Sequence, residues 1–149
     1  MKRFNIRVYG ILINEKQEVL ISDELIRGQR FSKFPGGGLE WGEGTHDCLR
    51  REFMEELNQP IVITEHFYTT DYFQQSAFNP DDQLISIYYK VACDGQQRFD
   101  VSDEPFNFKP DRSEAHRWVL INRLAENDLR WPVDKKVLQM LKSEYSSCK

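Results

Sequence analysis

The stretch from Pro35 to Asn58 constrains the chain most. Three consecutive glycines, Gly36, Gly37 and Gly38, lead through a short loop into an amphipathic helix beginning near Thr45. A glycine run marks backbone that turns sharply or comes close to another group. Thr45 is an N-cap residue type, its hydroxyl able to accept from the open N–H groups of the first turn. Asn58 suits the helix end, because Asn tolerates the left-handed conformation, and Pro60 follows it. At about 100° per residue, Leu49, Phe53 and Leu57 share one arc, the stripe that a core takes up. Glu52, Glu55 and Glu56 share the neighbouring arc. Glu52 and Glu56 are an i,i+4 like-charge pair that costs an isolated helix about 0.2–0.5 kcal/mol, and Arg51, i,i+4 to Glu55, offers the local compensation.

Such a face has two readings. Glu clusters are most often solvated, and that accounts for Glu55 and Glu56. It leaves the glycine run one short loop ahead without a purpose. Carboxylates beside a core stripe, with a close-approach loop before them, favour a cation site. Hard oxygen ligands suit Mg²⁺ or Mn²⁺ and not zinc.

Composition narrows the partners. A length of 149 residues suits one domain, residues 1–149, with a single sizeable core. The net charge of −4 argues against a nucleic-acid polymer as ligand, since surfaces that read a phosphate backbone are basic. It leaves room for a small phosphorylated ligand, because a divalent cation can carry the positive charge. Cys48, Cys93 and Cys148 form no CxxC pair and no metal-ligand spacing, and read as reduced thiols. Met1-Lys2-Arg3 is followed by no apolar segment long enough for a leader, and no stretch approaches the length of a membrane span. The expectation is a cytoplasmic protein without membrane contact.

Along the chain, Phe4–Ile13 reads as a strand, Asn14–Gln17 as a turn, and Glu18–Ser22 as a strand pairing back in a hairpin. Asp23–Lys33 reads as a polar connection. Its Arg27 and Arg30 lie close to the glycine run and are candidates for a phosphate contact; solvated loop arginines are the commoner meaning. Ile61–Phe73 is extended, Asn79-Pro80-Asp81-Asp82 is a turn cluster, and Leu84–Ala92 is a strand apolar enough for burial on both sides. Arg98–Arg112 is a loop, Ala115–Leu120 a short strand, Asn122–Glu126 a helical turn and Val133–Tyr145 a closing helix. Strands with two separated helices give an α+β layout in which helices cover a mixed sheet, an αβα arrangement.

The glycine-to-helix stretch resembles the Nudix box, G-x5-E-x7-R-E-U-x-E-E-x-G-U. Gly37, Glu43, Arg51, Glu52, Phe53, Glu55 and Glu56 stand at the matching positions, and the box covers residues 37–59. Asn58 and Gln59 depart from its last glycine and last apolar residue, which points to a shifted helix exit. The resemblance implies the Nudix fold, a mixed β-sheet between α-helices. It implies metal-dependent hydrolysis of a nucleoside triphosphate or other nucleoside diphosphate-linked metabolite, by water attack at phosphorus. Under it, Glu52, Glu56 and the Gly36 carbonyl hold Mg²⁺ (or Mn²⁺), and Glu55 completes the shell or takes a second ion. Arg51 orients a carboxylate, while Glu43, Gly37 and Gly38 shape the loop. Glu114, four residues before Trp118, is the candidate further ligand or base; Glu104 competes, and His116 reads as structural.

Substrate choice is least determined. Trp131-Pro132-Val133-Asp134 resembles a Trp-Pro-Asp-Asp element that reads a purine in one member of the family, so Trp131 and Asp134 are candidate base contacts. The favoured reading of Trp131 is a core anchor, with Pro132 opening the last helix. The rival reading is a Nudix-fold sensor that binds nucleotide without cleaving it. Such proteins tend to lose box carboxylates and to carry an added domain; here all three carboxylates are kept and the length leaves no room for one. The partner is then a small-molecule nucleotide, and a homodimer is allowed but not required.

Overall fold

The computed structural model describes residues 1–146; Cys148 lies outside them. The elements are β1 (Arg3–Leu12), β2 (Glu18–Ile26), β3 (Gln29–Lys33), β4 (Gly36–Gly38), α1 (Thr45–Leu57), β5 (Ile61–Thr69), β6 (Asp82–Cys93), β7 (Glu114–Leu120) and α2 (Pro132–Ser146). Two compact units contain them. One is built from Met1–Ile11 and Pro35–Phe99, the other from Leu12–Phe34 and the chain from Asp100 onward.

In the first unit the sheet order is β4-β1-β6-β5, and α1 packs on β4 and β5. The predicted stripe of α1 is buried at Leu49, Phe53 and Leu57. Phe53 lies so close to β1 that a Cβ on Gly10 would stand 2.6 Å from its ring. Removing a side chain of that size from water stabilises the fold by about 1.5–3 kcal/mol. The helix stops as its sequence predicts: Asn58 is left-handed (φ 51°) and its N–H reaches the Met54 carbonyl at 3.0 Å. Its start differs. The N-cap is Gly44, whose N–H donates to the Asp47 carboxylate at 2.9 Å, while the Thr45 hydroxyl shares a hydrogen bond with Tyr89 Oη at 2.6 Å. Strand β6 is buried at Asp82, Ser86, Tyr88 and Val91 and half-buried at most other positions, so it is not enclosed on both faces.

In the second unit the sheet order is β3-β2-β7. Asp23–Lys33 is not a polar connection but the two-stranded core of this sheet, with Ile26 paired to Gln29 across a two-residue turn. Arg27 (φ 52°) and Gly28 (φ 77°) both have positive φ, the signature of a type I′ hairpin turn. The expected β1–β2 hairpin reduces to a single bridge, Ile13 to Val19, around the Asn14–Gln17 turn. Asn14 Oδ1 closes that turn by accepting the N–H groups of Lys16 and Glu18, but β2 takes β3 and β7 as its neighbours. The short helical turn falls at Glu126–Asp128, not Asn122–Glu126. Val133, Val137, Leu138 and Leu141 form the buried stripe of α2. Among the described residues no helix is long and apolar enough to cross a membrane.

Candidate functional site

The first unit brings the loop and box residues together. Gly36 has φ 149°, and a Cβ there would meet the Val8 carbonyl oxygen at 2.1 Å, so only glycine fits this β4–β1 pairing. A Cβ on Gly37 would meet the Glu52 carboxylate at 2.4 Å. The absent side chain is therefore what lets Glu52 lie against the glycine strand, with its side chain only 13% exposed.

Arg51 organises the acidic face. Its Nη2 donates to Glu43 Oε1 at 2.7 Å and to the Gly38 carbonyl at 3.0 Å, and its Nε to Glu43 Oε2 at 3.0 Å. Its Nη1 donates to Glu52 at 3.0 Å and reaches Glu55 at 3.3 Å. This is a forked, charge-assisted arrangement that lysine could not reproduce. Hydrogen bonding to Arg51, with the Glu40 N–H second, lowers the Glu43 carboxyl to about 2, and the Arg51 guanidinium is raised in turn. Glu43 thus ties the loop to the helix through Arg51 and closes the loop on itself by accepting the Glu40 N–H at 2.9 Å. Burial and the nearby Glu43 charge raise the Cys48 thiol to about 12, which makes it inert as a nucleophile.

One guanidinium faces four carboxylates here, Glu40, Glu43, Glu52 and Glu55, and Glu56, one helical turn beyond Glu52, has a buried Oε2. The donors that these residues offer are carboxylates and backbone carbonyls, all of them oxygen ligands. That is the chemistry of a hard divalent cation, so the residues fit the group that the box implies.

The second unit holds the remaining candidates. Opposite-strand pairing places Ser22 between Lys33 and His116, and Glu24 between Phe31 and Glu114. These side chains share one face of the sheet, by the alternation of strands. Lys33 is buried and paired to Glu24 at 2.9 Å. His116 is only 7% exposed, and its Nε2 is buried with no hydrogen-bond partner. Burial, with the Lys33 charge second, lowers its pKa to about 4, so the imidazole is neutral near pH 7. On the opposite face Asp23 accepts from Arg117 at 2.7 Å, from Ser32 Oγ at 2.6 Å and from the Phe106 N–H at 3.1 Å.

Trp131 is half-buried, edge-on to Phe31 at 5.2 Å, with Arg130 over its ring at 5.6 Å; Pro132 opens α2, and Asp134 is buried in its first turn. Arg30 is not brought to this group. It projects from the other face of β3, over the Phe106 ring at 5.7 Å, and Arg27 occupies the exposed hairpin turn. Sequence reasoning missed the Lys33–Glu24 pair, the Asp23–Arg117 pair and the buried His116 nitrogen. For the first of these the sequence holds one signal, Gly28, which suits a two-residue turn and so the parity of β2 and β3; nothing local marks Arg117 on β7 as the partner of Asp23.

Comparison with known proteins agrees with this geometry. The NUDIX domain family matches residues 3–141. The 8-oxo-dGTP diphosphatase of Escherichia coli (strain K12) is 30% identical over 91 residues, 60% of this chain and 65% of that protein, so the match spans just under two thirds of that relative's length. A NUDIX hydrolase from Nitrosomonas europaea superposes with a TM-score of 0.70 at 20% identity, covering 95% of this chain and 90% of the other. A MutT structure, from work on the Aliivibrio salmonicida and Vibrio cholerae proteins, superposes at 0.66 with 24% identity, covering 95% and 99%. The fold is α+β, two sheets and two helices, as in these structures. With a match to nearly the whole chain, and box residues gathered around Arg51 and the glycine strand, this chain belongs to the Nudix family.

Proposed function

We propose that residues 1–149 act as one Nudix domain that hydrolyses the pyrophosphate linkage of a nucleoside triphosphate or other nucleoside diphosphate-linked metabolite. The observation that carries this reading is the seating of the Glu52 carboxylate against Gly37, beside a guanidinium shared with Glu43 and Glu55. The 8-oxo-dGTP diphosphatase relative supports a nucleoside triphosphate as the first substrate to try.

Glu52, Glu55, Glu56 and the Gly36 carbonyl would hold Mg²⁺ or Mn²⁺. When bound, the ion neutralises phosphate oxygens and lowers the pKa of a water. Phosphoryl transfer asks little covalent chemistry of a protein, so the chain's part is placement and charge. Arg51 fixes the rotamers of Glu52 and Glu55, and Glu43 fixes Arg51. Gly37 and Gly38 let the loop backbone lie against the helix, and Glu114 supplies a further carboxylate as ligand or base. Trp131 offers a half-exposed aromatic face to a base and Arg27 an exposed cation to a phosphate, while Asp134, the other candidate base contact, is buried at the start of α2. The setting is cytoplasmic, with no nucleic-acid polymer and no membrane as partner.

The test is a panel of canonical and oxidised nucleoside triphosphates, ADP-ribose, dinucleoside polyphosphates and NDP-sugars with Mg²⁺, reading phosphate and pyrophosphate release. Cleavage of one class, reduced about 10²-fold or more by Glu56→Gln, supports the reading. Tight nucleotide binding without cleavage of any member would replace it with a sensor.

A further inference from the structure

His116 and Glu114 lie two apart on β7, so both side chains leave the same face of the sheet. A carboxylate oxygen of Glu114 comes within 4.8 Å of a ring nitrogen of His116. The His116 side chain is more than nine-tenths buried, yet its Nε2 has no hydrogen-bond partner. Buried polar atoms in folded proteins are almost always paired, and an orphaned one has given up hydration for nothing unless a ligand completes it. The charged neighbours on that face do not serve this purpose. Lys33 is committed to Glu24 at 2.9 Å, and Ser22 Oγ donates to Glu24 at 3.1 Å. Asp23 faces the other way, toward Arg117 and Ser32.

An imidazole nitrogen beside a carboxylate, within 4.8 Å of it, is a spacing that one first-row divalent cation can bridge. The nitrogen changes which cation is preferred. Mg²⁺ requires oxygen ligands and keeps its waters, whereas imidazole favours the borderline ions from Mn²⁺ toward Co²⁺ and Zn²⁺. We propose that Glu114 and His116 form an oxygen–nitrogen ligand pair for a divalent cation, and that His116 Nε2 biases the bound ion toward borderline metals over Mg²⁺. The pair deepens the proposed hydrolase, on which the use of the ion rests; its binding stands apart from turnover.

The experiment is a Co²⁺ titration of the wild-type protein followed by ¹H–¹⁵N NMR of the imidazoles, with Co²⁺ and Mg²⁺ affinities measured by calorimetry. The His116 ring signals shift at substoichiometric Co²⁺, ahead of those of exposed His46 and His66. His116→Gln weakens Co²⁺ binding by about tenfold or more and Mg²⁺ binding by less than about twofold. Unmoved His116 signals at saturating Co²⁺ overturn the proposal, and since this reading uses only wild-type protein, a variant that fails to fold does not obscure it. A protein that binds Co²⁺ through His116 but cleaves nothing in the substrate panel upholds the ligand pair while the hydrolase reading falls. Full turnover with no contact between His116 and the metal does the reverse.

Discussion

At Gly37 a single methyl group would land 2.4 Å from the Glu52 carboxyl carbon. Gly37→Ala therefore displaces the carboxylate proposed to hold the cation, by about an ångström. Misplacement on that scale costs on the order of 10²-fold in rate. A steady-state assay should show that loss in kcat, while thermal unfolding moves only slightly. Glu43 gives a prediction in pH. Its folded carboxyl is lowered to about 2 from an ordinary value of 4.5, so its contribution to stability is complete above about 4.5 and is lost as the pH falls through about 2. Urea denaturation of Glu43→Gln against wild type should show a stability gap that is constant near neutrality and closes in acid. A gap that is unchanged at pH 2 would mean that Glu43 acts through packing and not charge.

The helix α1 carries its buried stripe and the acidic arc proposed for catalysis side by side, so each is testable separately. Phe53→Ala removes the ring that fills the space above Gly10 and should cost about 3–5 kcal/mol in chemical denaturation, while leaving the Arg51 pairs intact. In the sheet β3-β2-β7, Asp23 receives Arg117, Ser32 and the backbone of the 100–113 loop at Phe106. Asp23→Ala removes the buried carboxylate from a guanidinium that is only 13% exposed, and breaking such a pair costs about 3–5 kcal/mol. Hydrogen exchange should then rise first in that loop, which loses its Phe106 tether. Replacement of Asp23 and Arg117 together by apolar residues should cost less than the sum of the single changes.

For the molecule as a whole, EDTA should abolish hydrolysis of the best panel substrate, and Mg²⁺ or Mn²⁺ should restore it; activity untouched by EDTA would remove the metal from the proposal. The box was legible because its information is local. A 3.6-residue period, a glycine run and fixed spacing between Gly37, Glu43 and Arg51 place Glu52 and Glu55 without knowledge of any other element. The same holds for the left-handed stop at Asn58 and for α2, whose stripe is periodic. Strand parity and strand partners were not legible. Asp23 sits in a polar stretch that reads as a loop, and its meaning comes from Arg117, 94 residues away. His116 looks like an ordinary strand residue until its face of β7, and the hydrogen bond its Nε2 lacks, are known. Sequence alone determined the helices, the acidic arc and its glycine neighbour, because intervals within one helix turn fix which side chains meet. Tertiary structure decided the strand pairings and the buried polar faces, because hydrogen bonding between strands distant in the chain is chosen by the packing of the whole and leaves no periodic trace.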